Sequence, residues 1–192
     1  MPNSFPDQVT AFDGHHRIAS GPLAEVALVV KRAVDQGAEG PVHIYDDASG
    51  HILDLDTRGT NDDVLARLPK PPEEPPADPP RGPGRPKLGV VAREVTLLPR
   101  HWQWLSGQPG GASVALRKLV DEARRVNAPK DKIRRAHEAA YRFLSAVAGD
   151  MRGFDEATRA LFANDAQRFA TLIAKWPTDV RTYATKLGFP PP

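Results

Sequence analysis

The chain has 192 residues, 40% of them hydrophobic, with 20 prolines and no cysteine. That composition excludes disulfides, thiolate catalysis and cysteine-ligated zinc, and with no run of about eighteen apolar residues it excludes a membrane-spanning helix. The formal net charge of +2 hides a segregation: residues 1–68 carry 5 Lys/Arg against 11 Asp/Glu, residues 81–135 carry 13 against 4, and residues 136–192 carry 7 against 6.

An excess of nine positive charges in the middle of the chain is an electrostatic footprint for a polyanion. The plainer reading of such a cluster is a solvated helix face. The stretch from Met1 to Gly14 has neither a basic start nor an apolar core, so it does not read as a secretory signal, and a cytoplasmic location is expected.

In chain order, Val9–Phe12 and Arg17–Ala19 flank Asp13-Gly14, a hairpin turn signal. Ser20-Gly21-Pro22 then opens a helix, with proline where its missing N–H is harmless. Leu23, Val26, Ala27, Val30 and Val34 fall at spacings of three and four and make one apolar stripe, which Gly37 and Gly40 end. Val42–Tyr45 and His51–Asp56 form a second hairpin around Asp46–Gly50. Thr60 caps a short helix carrying Val64, Leu65 and Leu68, and Asp62 and Asp63 sit favourably at its positive end. The order is ββαββα.

Nine of the eighteen residues from 69 to 86 are proline, a run that favours extended polyproline II and joins neither a helix nor a central strand. Beyond it, Val95-Thr96-Leu97 is strand-like, and Pro99 starts a short helix through Trp102, Trp104 and Leu105. Gly107, Pro109, Gly110 and Gly111 break that helix. A second helix spans about 113–125, with Val114 or Ala115, Leu116, Leu119, Val120 and Ala123 on its apolar side. Residues 131–149 and 154–187 read as further helices whose aromatics, such as Phe143, Phe169 and Tyr183, suit a core. The expected fold is α+β. A small acidic ββαββα domain (1–68) leads through a proline-rich linker with a basic arm (69–92) to a ribbon-helix-helix-like segment (93–127). A helical C-terminal region (128–192) follows.

Strand, short helix, glycine turn and longer helix is the order of a ribbon-helix-helix DNA-binding module, and residues 93–125 resemble one. Arg93-Glu94-Val95-Thr96-Leu97-Leu98-Pro99 is similar to the ribbon with its exit, and Gly111 to Ala123 to the second helix. The resemblance implies that two chains pair their strands and insert them into the major groove of double-stranded DNA, so a homodimer is expected. With Val95 and Leu97 inward, period two turns Glu94, Thr96 and Leu98 toward the groove. Thr96 then meets a base edge or a thymine methyl, and Glu94 accepts from cytosine. Leu97 and Leu98 are adjacent apolar residues, so the opposite phase stays open. Arg93 and Arg100 suit phosphates, the amides around Ser113 offer a phosphate a helix start, and Arg117 and Lys118 follow on that helix. The rival reading is an ordinary helical hairpin packed on the C-terminal helices.

Upstream, Arg81-Gly82-Pro83-Gly84-Arg85-Pro86-Lys87 is similar to an AT-hook, in which an extended arginine enters a narrow minor groove. Pro83 stands where the hook core has arginine, and a basic linker end is the alternative. Arg81, Arg85 and Lys87 would add phosphate contacts in either case.

Taken whole, the chain resembles the uncharacterised bacterial proteins of domain of unknown function family 2239. The residues that carry this are Thr10–Gly14, Ile18–Gly21, Asp47–Gly59, Gly84–Trp102 and Ala112–Arg125. The resemblance implies a bacterial cytoplasmic protein and no established activity.

Catalysis is not expected. There is no P-loop, GxGxxG, HExxH or GxSxG, and Ser113 lacks a placed His/Asp pair. Asp54 and Asp56, two apart on the expected strand, with Asp46, Asp47, His43 and His51 nearby, could bind Mg²⁺ or Ca²⁺, but an Asp-rich turn on a solvated face accounts for them. No metal and no cofactor is expected. The leading expectation is a dimeric transcriptional regulator or nucleoid-associated factor. The alternative is an adaptor or antitoxin-like protein whose acidic domain binds a partner.

Overall fold

In the computed structural model the described residues are 6–69 and 91–191. The chain divides into two compact units, Met1–Pro72 with Lys130–Pro192, and Glu73–Pro129.

The first unit begins with the six elements that the sequence predicts, in the predicted order. They are β1 (Val9–Asp13), β2 (His16–Gly21), α1 (Leu23–Asp35), β3 (Val42–Asp46), β4 (Ile52–Leu53) and α2 (Asn61–Arg67). All strand pairs are antiparallel and the sheet order is β2-β1-β3-β4. Thr60 makes a reciprocal capping box with Asp63 at the start of α2, satisfying amides that the first helical turn leaves without partners.

The central strands are buried on both faces, and the period of two shows how. Val9 and Ala11 of β1, with Ile44 of β3, pack on Leu23, Val26 and Val30 of α1. Phe12 and Tyr45, one residue out of phase, point to the other side and join a core built from the C-terminal helices. Those helices are the end of α4 (Gly111–Val147), α5 (Phe154–Phe162), α6 (Ala166–Leu172) and α7 (Thr178–Gly188). Phe143 and Tyr183 meet edge to face at 4.7 Å, and Tyr45 meets Phe143 likewise at 5.0 Å. Each such pair adds about 0.5–1.5 kcal/mol beyond the area it buries. The stretches that read as separate regions along the chain, 1–68 and 128–192, therefore share one core, with the sheet between α1 and the C-terminal helices.

Main-chain contacts fix this packing. Arg142 donates from Nη1 to the Ser49 carbonyl at 2.8 Å, and a His15 ring nitrogen bonds the Val147 carbonyl at 3.1 Å. Gly50 has φ +69°, and a Cβ there would overlap the main chain of Ala139 in α4. Only glycine allows the β3–β4 turn and the helix to lie this close.

Two expectations are corrected. The fourth strand spans only Ile52–Leu53, not His51–Asp56: Asp56 leaves the ladder to pair with Arg58 and Arg67 at 2.8 and 3.3 Å. Asp54 and Asp56 thus share no strand face, and no group of three or more His, Asp or Glu among the described residues is arranged to hold a metal ion. The helices expected at 113–125 and 131–149 are one 37-residue helix, α4, with Pro129 inside it. Proline removes one intrahelical hydrogen bond and crowds the carbonyl four residues back, and the boundary between the two units falls at this residue. Val95–Leu97 lies in the segment 91–98, which is neither helical nor paired with another strand among the described residues.

Candidate functional site

The second unit is described from residue 91 to 129. It holds an extended segment, the helix α3 (Pro99–Ser106) and the first half of α4. Leu98 is extended, with φ −65° and ψ 150°, and Pro99 opens α3, where its fixed φ suits a helix start. The turn into α4 has two left-handed glycines, Gly110 and Gly111, at φ +86° and +76°.

Only Leu105 and Ala115 are buried here. Of the fourteen large hydrophobic side chains exposed among the described residues, eight lie between Val91 and Val126. Trp104 is 54% exposed, Leu119 49%, Val120 54% and Val126 61%. On α4, Leu116, Leu119, Val120, Ala123 and Val126 fall at spacings of three and four on one side. At 100° per residue, Arg117, Lys118, Arg124 and Arg125 lie on the other side, which Asp121 shares. Arg125 is held by Glu122 at 2.8 Å. Arg93, Arg100, Arg117, Lys118 and Arg124 form no ion pair with another described residue.

The sequence-predicted site residues distribute as follows. Arg93, Glu94 and Thr96 are exposed on the extended segment, Arg100 is exposed in the first turn of α3, and Ser113, Arg117 and Lys118 are exposed on α4. Ala112 and Ser113 lie in the first turn of α4, which holds no acidic residue, and amides in that position lack an intrahelical acceptor. Arg81, Arg85 and Lys87 lie outside the described residues.

Sequence reasoning missed a polar site in the first unit. Asp47, with a side chain 12% exposed, accepts at Oδ1 from the hydroxyls of Thr10 and Tyr183, each at 2.7 Å. Its Oδ2 takes Lys186 Nζ at 2.6 Å. Because the Thr10 hydrogen goes to Asp47, Ser20 donates to Thr10 at 3.0 Å. Burial raises the Tyr183 phenol far above its ordinary value, and its hydrogen bond to Asp47 adds to this. In the same core the Tyr45 hydroxyl is fully buried with no hydrogen-bond partner among the described residues, and burial pushes its pKa up to about 12. Beside Asp47 opens a cleft of about 460 Å³ whose lining includes Lys132, Arg135 and Lys186. The signal available in the sequence was Thr10, a hydroxyl in phase with Phe12 on a strand otherwise apolar.

The family model for uncharacterised proteins conserved in bacteria, DUF2239, matches residues 8–188. The chain belongs to this family. No curated protein and no solved structure matches it. The DUF2239 match spans both units. Among the described residues of this DUF2239 protein, no helix is long and apolar enough to cross a membrane.

Proposed function

We propose that this protein is a non-catalytic, cytoplasmic DNA-binding protein that acts as a homodimer through residues 91–129, in transcription regulation or nucleoid organisation. One observation carries the reading: the first half of α4 leaves an apolar stripe exposed on one side and carries on the other Arg117, Lys118 and Arg124, which form no ion pair among the described residues. A bare stripe of this kind is energetically costly in water and is covered by association. A second copy is the natural cover, because residues 91–97 before α3 have main-chain groups with no main-chain hydrogen bond among the described residues and can pair with the same segment of a second copy. Arg93, Arg100, Arg117 and Lys118 then face phosphates, with Glu94 and Thr96 on the ribbon and Arg81, Arg85 and Lys87 on the arm before it.

The test uses the full chain. Duplex DNA should bind with an affinity that falls steeply with salt, and Arg93→Ala combined with Arg100→Ala should flatten the log–log slope by about 0.9 for each phosphate no longer neutralised. Leu119→Glu with Val120→Glu should shift the sedimenting species from dimer to monomer and weaken DNA binding. A monomeric wild-type chain at micromolar concentration, or no binding to duplex at low salt, sinks the reading.

A further inference from the structure

The cleft beside Asp47 lies wholly within the first unit and is independent of the DNA reading. Three cations converge on it from two helices, Lys132 and Arg135 of α4 and Lys186 of α7. Each keeps donors to spare. Lys132 gives one hydrogen to the Pro191 carbonyl at 2.8 Å, Arg135 gives its Nε–H to the Asp131 carbonyl at 3.2 Å, and Lys186 gives one to Asp47. A lysine has three donors and an arginine five, so two remain on each lysine and four on the guanidinium.

The carboxylates nearby are already engaged. Asp47 accepts from Thr10, Tyr183 and Lys186, and Asp131 pairs with Arg134 at 3.3 Å. Neither Lys132 nor Arg135 forms an ion pair with a described residue. Among the described residues that line the cleft, subtracting Asp47 from the three cations leaves a formal charge of +2. Like charges gathered in this way repel one another, and an anion between them relieves that repulsion.

We infer that this cleft is a binding site for a small phosphate ester. A phosphate monoester carries about −1.5 to −2 charges near neutral pH and presents three strong acceptor oxygens. It thus matches the cleft's charge and its surplus of donors, and a guanidinium with two ammonium groups is a natural cradle for it. The remaining wall, with Leu187, Pro190 and Pro191, is apolar and suits an organic body better than inorganic phosphate alone. The volume lies within the range of about 300–1,000 Å³ common for small-molecule sites. Asp47 acts here as a positioning residue: its buried hydroxyl partners fix the carboxylate, and the carboxylate fixes Lys186 at the cleft edge.

The experiment is calorimetric titration of the full chain at low salt with adenosine 5′-monophosphate, using adenosine and inorganic phosphate as references. The nucleotide should bind saturably at one site per chain and more tightly than either reference. Lys132→Ala combined with Arg135→Ala should weaken it by roughly tenfold or more, as expected for losing charged hydrogen bonds. Both side chains are exposed, so circular dichroism and the thermal midpoint should not change. A duplex of about 20 base pairs added as competitor separates two sources of the same group: displacement of the nucleotide identifies the DNA backbone, and binding without displacement identifies a free molecule. Nucleotide binding no tighter than adenosine, or equal affinity in the double variant, overturns the inference.

Discussion

Replacing Asp47 by alanine tests the polar centre of the first unit. Thr10 is 0% and Tyr183 1% exposed, and both spend their hydroxyl hydrogens on Asp47 Oδ1. Alanine strands the two donors in the core, at about 1–3 kcal/mol each. The missing pair with Lys186 adds little, because the lysine side chain is 55% exposed and solvent screens it. The expected loss is therefore about 2–6 kcal/mol, read from equilibrium urea denaturation with an unchanged m-value. Asp47→Asn keeps an acceptor for both hydroxyls but turns an amide NH2 toward the Lys186 ammonium, which is half exposed and can swing into solvent, so it should cost about 1–2 kcal/mol. A double-mutant cycle with Tyr183→Phe should return a coupling of about 1–2 kcal/mol, as neighbours sharing a network do. The reasoning fails if Asp47→Ala lies within about 1 kcal/mol of wild type, or if asparagine is as damaging as alanine.

The two buried tyrosines should behave oppositely. Tyr45→Phe removes a hydroxyl that has no partner among the described residues and should be neutral or stabilising by up to about 1 kcal/mol, whereas Tyr183→Phe should destabilise. Both phenols are neutral in the fold and held above the ordinary 10.0, chiefly by burial. Stability is therefore intact below pH 10 and falls as the pH rises beyond it, by about 1.4 kcal/mol per pH unit for each tyrosine. Alkaline denaturation of the double phenylalanine variant should show a shallower fall. His137 is 4% exposed, and burial lowers its pKa against the opposing hydrogen bond to Asn164. Its contribution is complete above the ordinary value of 6.5 and is lost as the pH falls below it. The urea midpoint should thus drop between about pH 7.5 and pH 5, by less in His137→Gln. Gly50→Ala combines a left-handed backbone with overlap onto the α4 main chain and should cost about 3 kcal/mol or more in thermal unfolding, while Thr60→Ala, which loses the cap of α2, should cost about 1.

Local chemistry accounts for what was legible in the sequence. Asp13-Gly14 marks the first turn, the stripe from Leu23 to Val34 marks α1, and Thr60 with Asp63 marks the start of α2. These signals are complete within a few residues, so they survive without knowledge of the partners. Two others were overridden. The helices expected at 113–125 and 131–149 are continuous, and α4 runs through Pro129, because a proline deletes one bond while turns on either side keep theirs. Asp54 and Asp56 continue an alternating pattern, but Arg58 and Arg67 draw Asp56 out of the ladder. Asp47 was illegible for a different reason. In sequence it is one of several turn aspartates, and its partners Tyr183 and Lys186 lie 136 and 139 residues away. No periodicity encodes a contact of that range. Only the placement of a buried hydroxyl, Thr10, hints at it.

The second unit poses the converse problem, since its local order was legible while its packing is incomplete. A helix of this amphipathic kind draws most of its stability from burying one face, yet Leu105 and Ala115 alone are buried between residues 91 and 129. The start of the α4 stripe is partly covered at Val114 and Leu116, and from Leu119 onward it is bare. Cover is thus lacking along the stripe from Leu119 to Val126 and around Val95, Leu98, Trp102 and Trp104, before and within α3. A small ligand cannot span that set of side chains, whereas in the proposed dimer a second copy would bring the same patch to meet it across a twofold axis. The cations on the opposite side of α4 stay clear of such an interface. Dimerisation through the apolar side and phosphate contact through the basic side are therefore compatible demands on one helix, and Leu119→Glu with Val120→Glu tests the first of them.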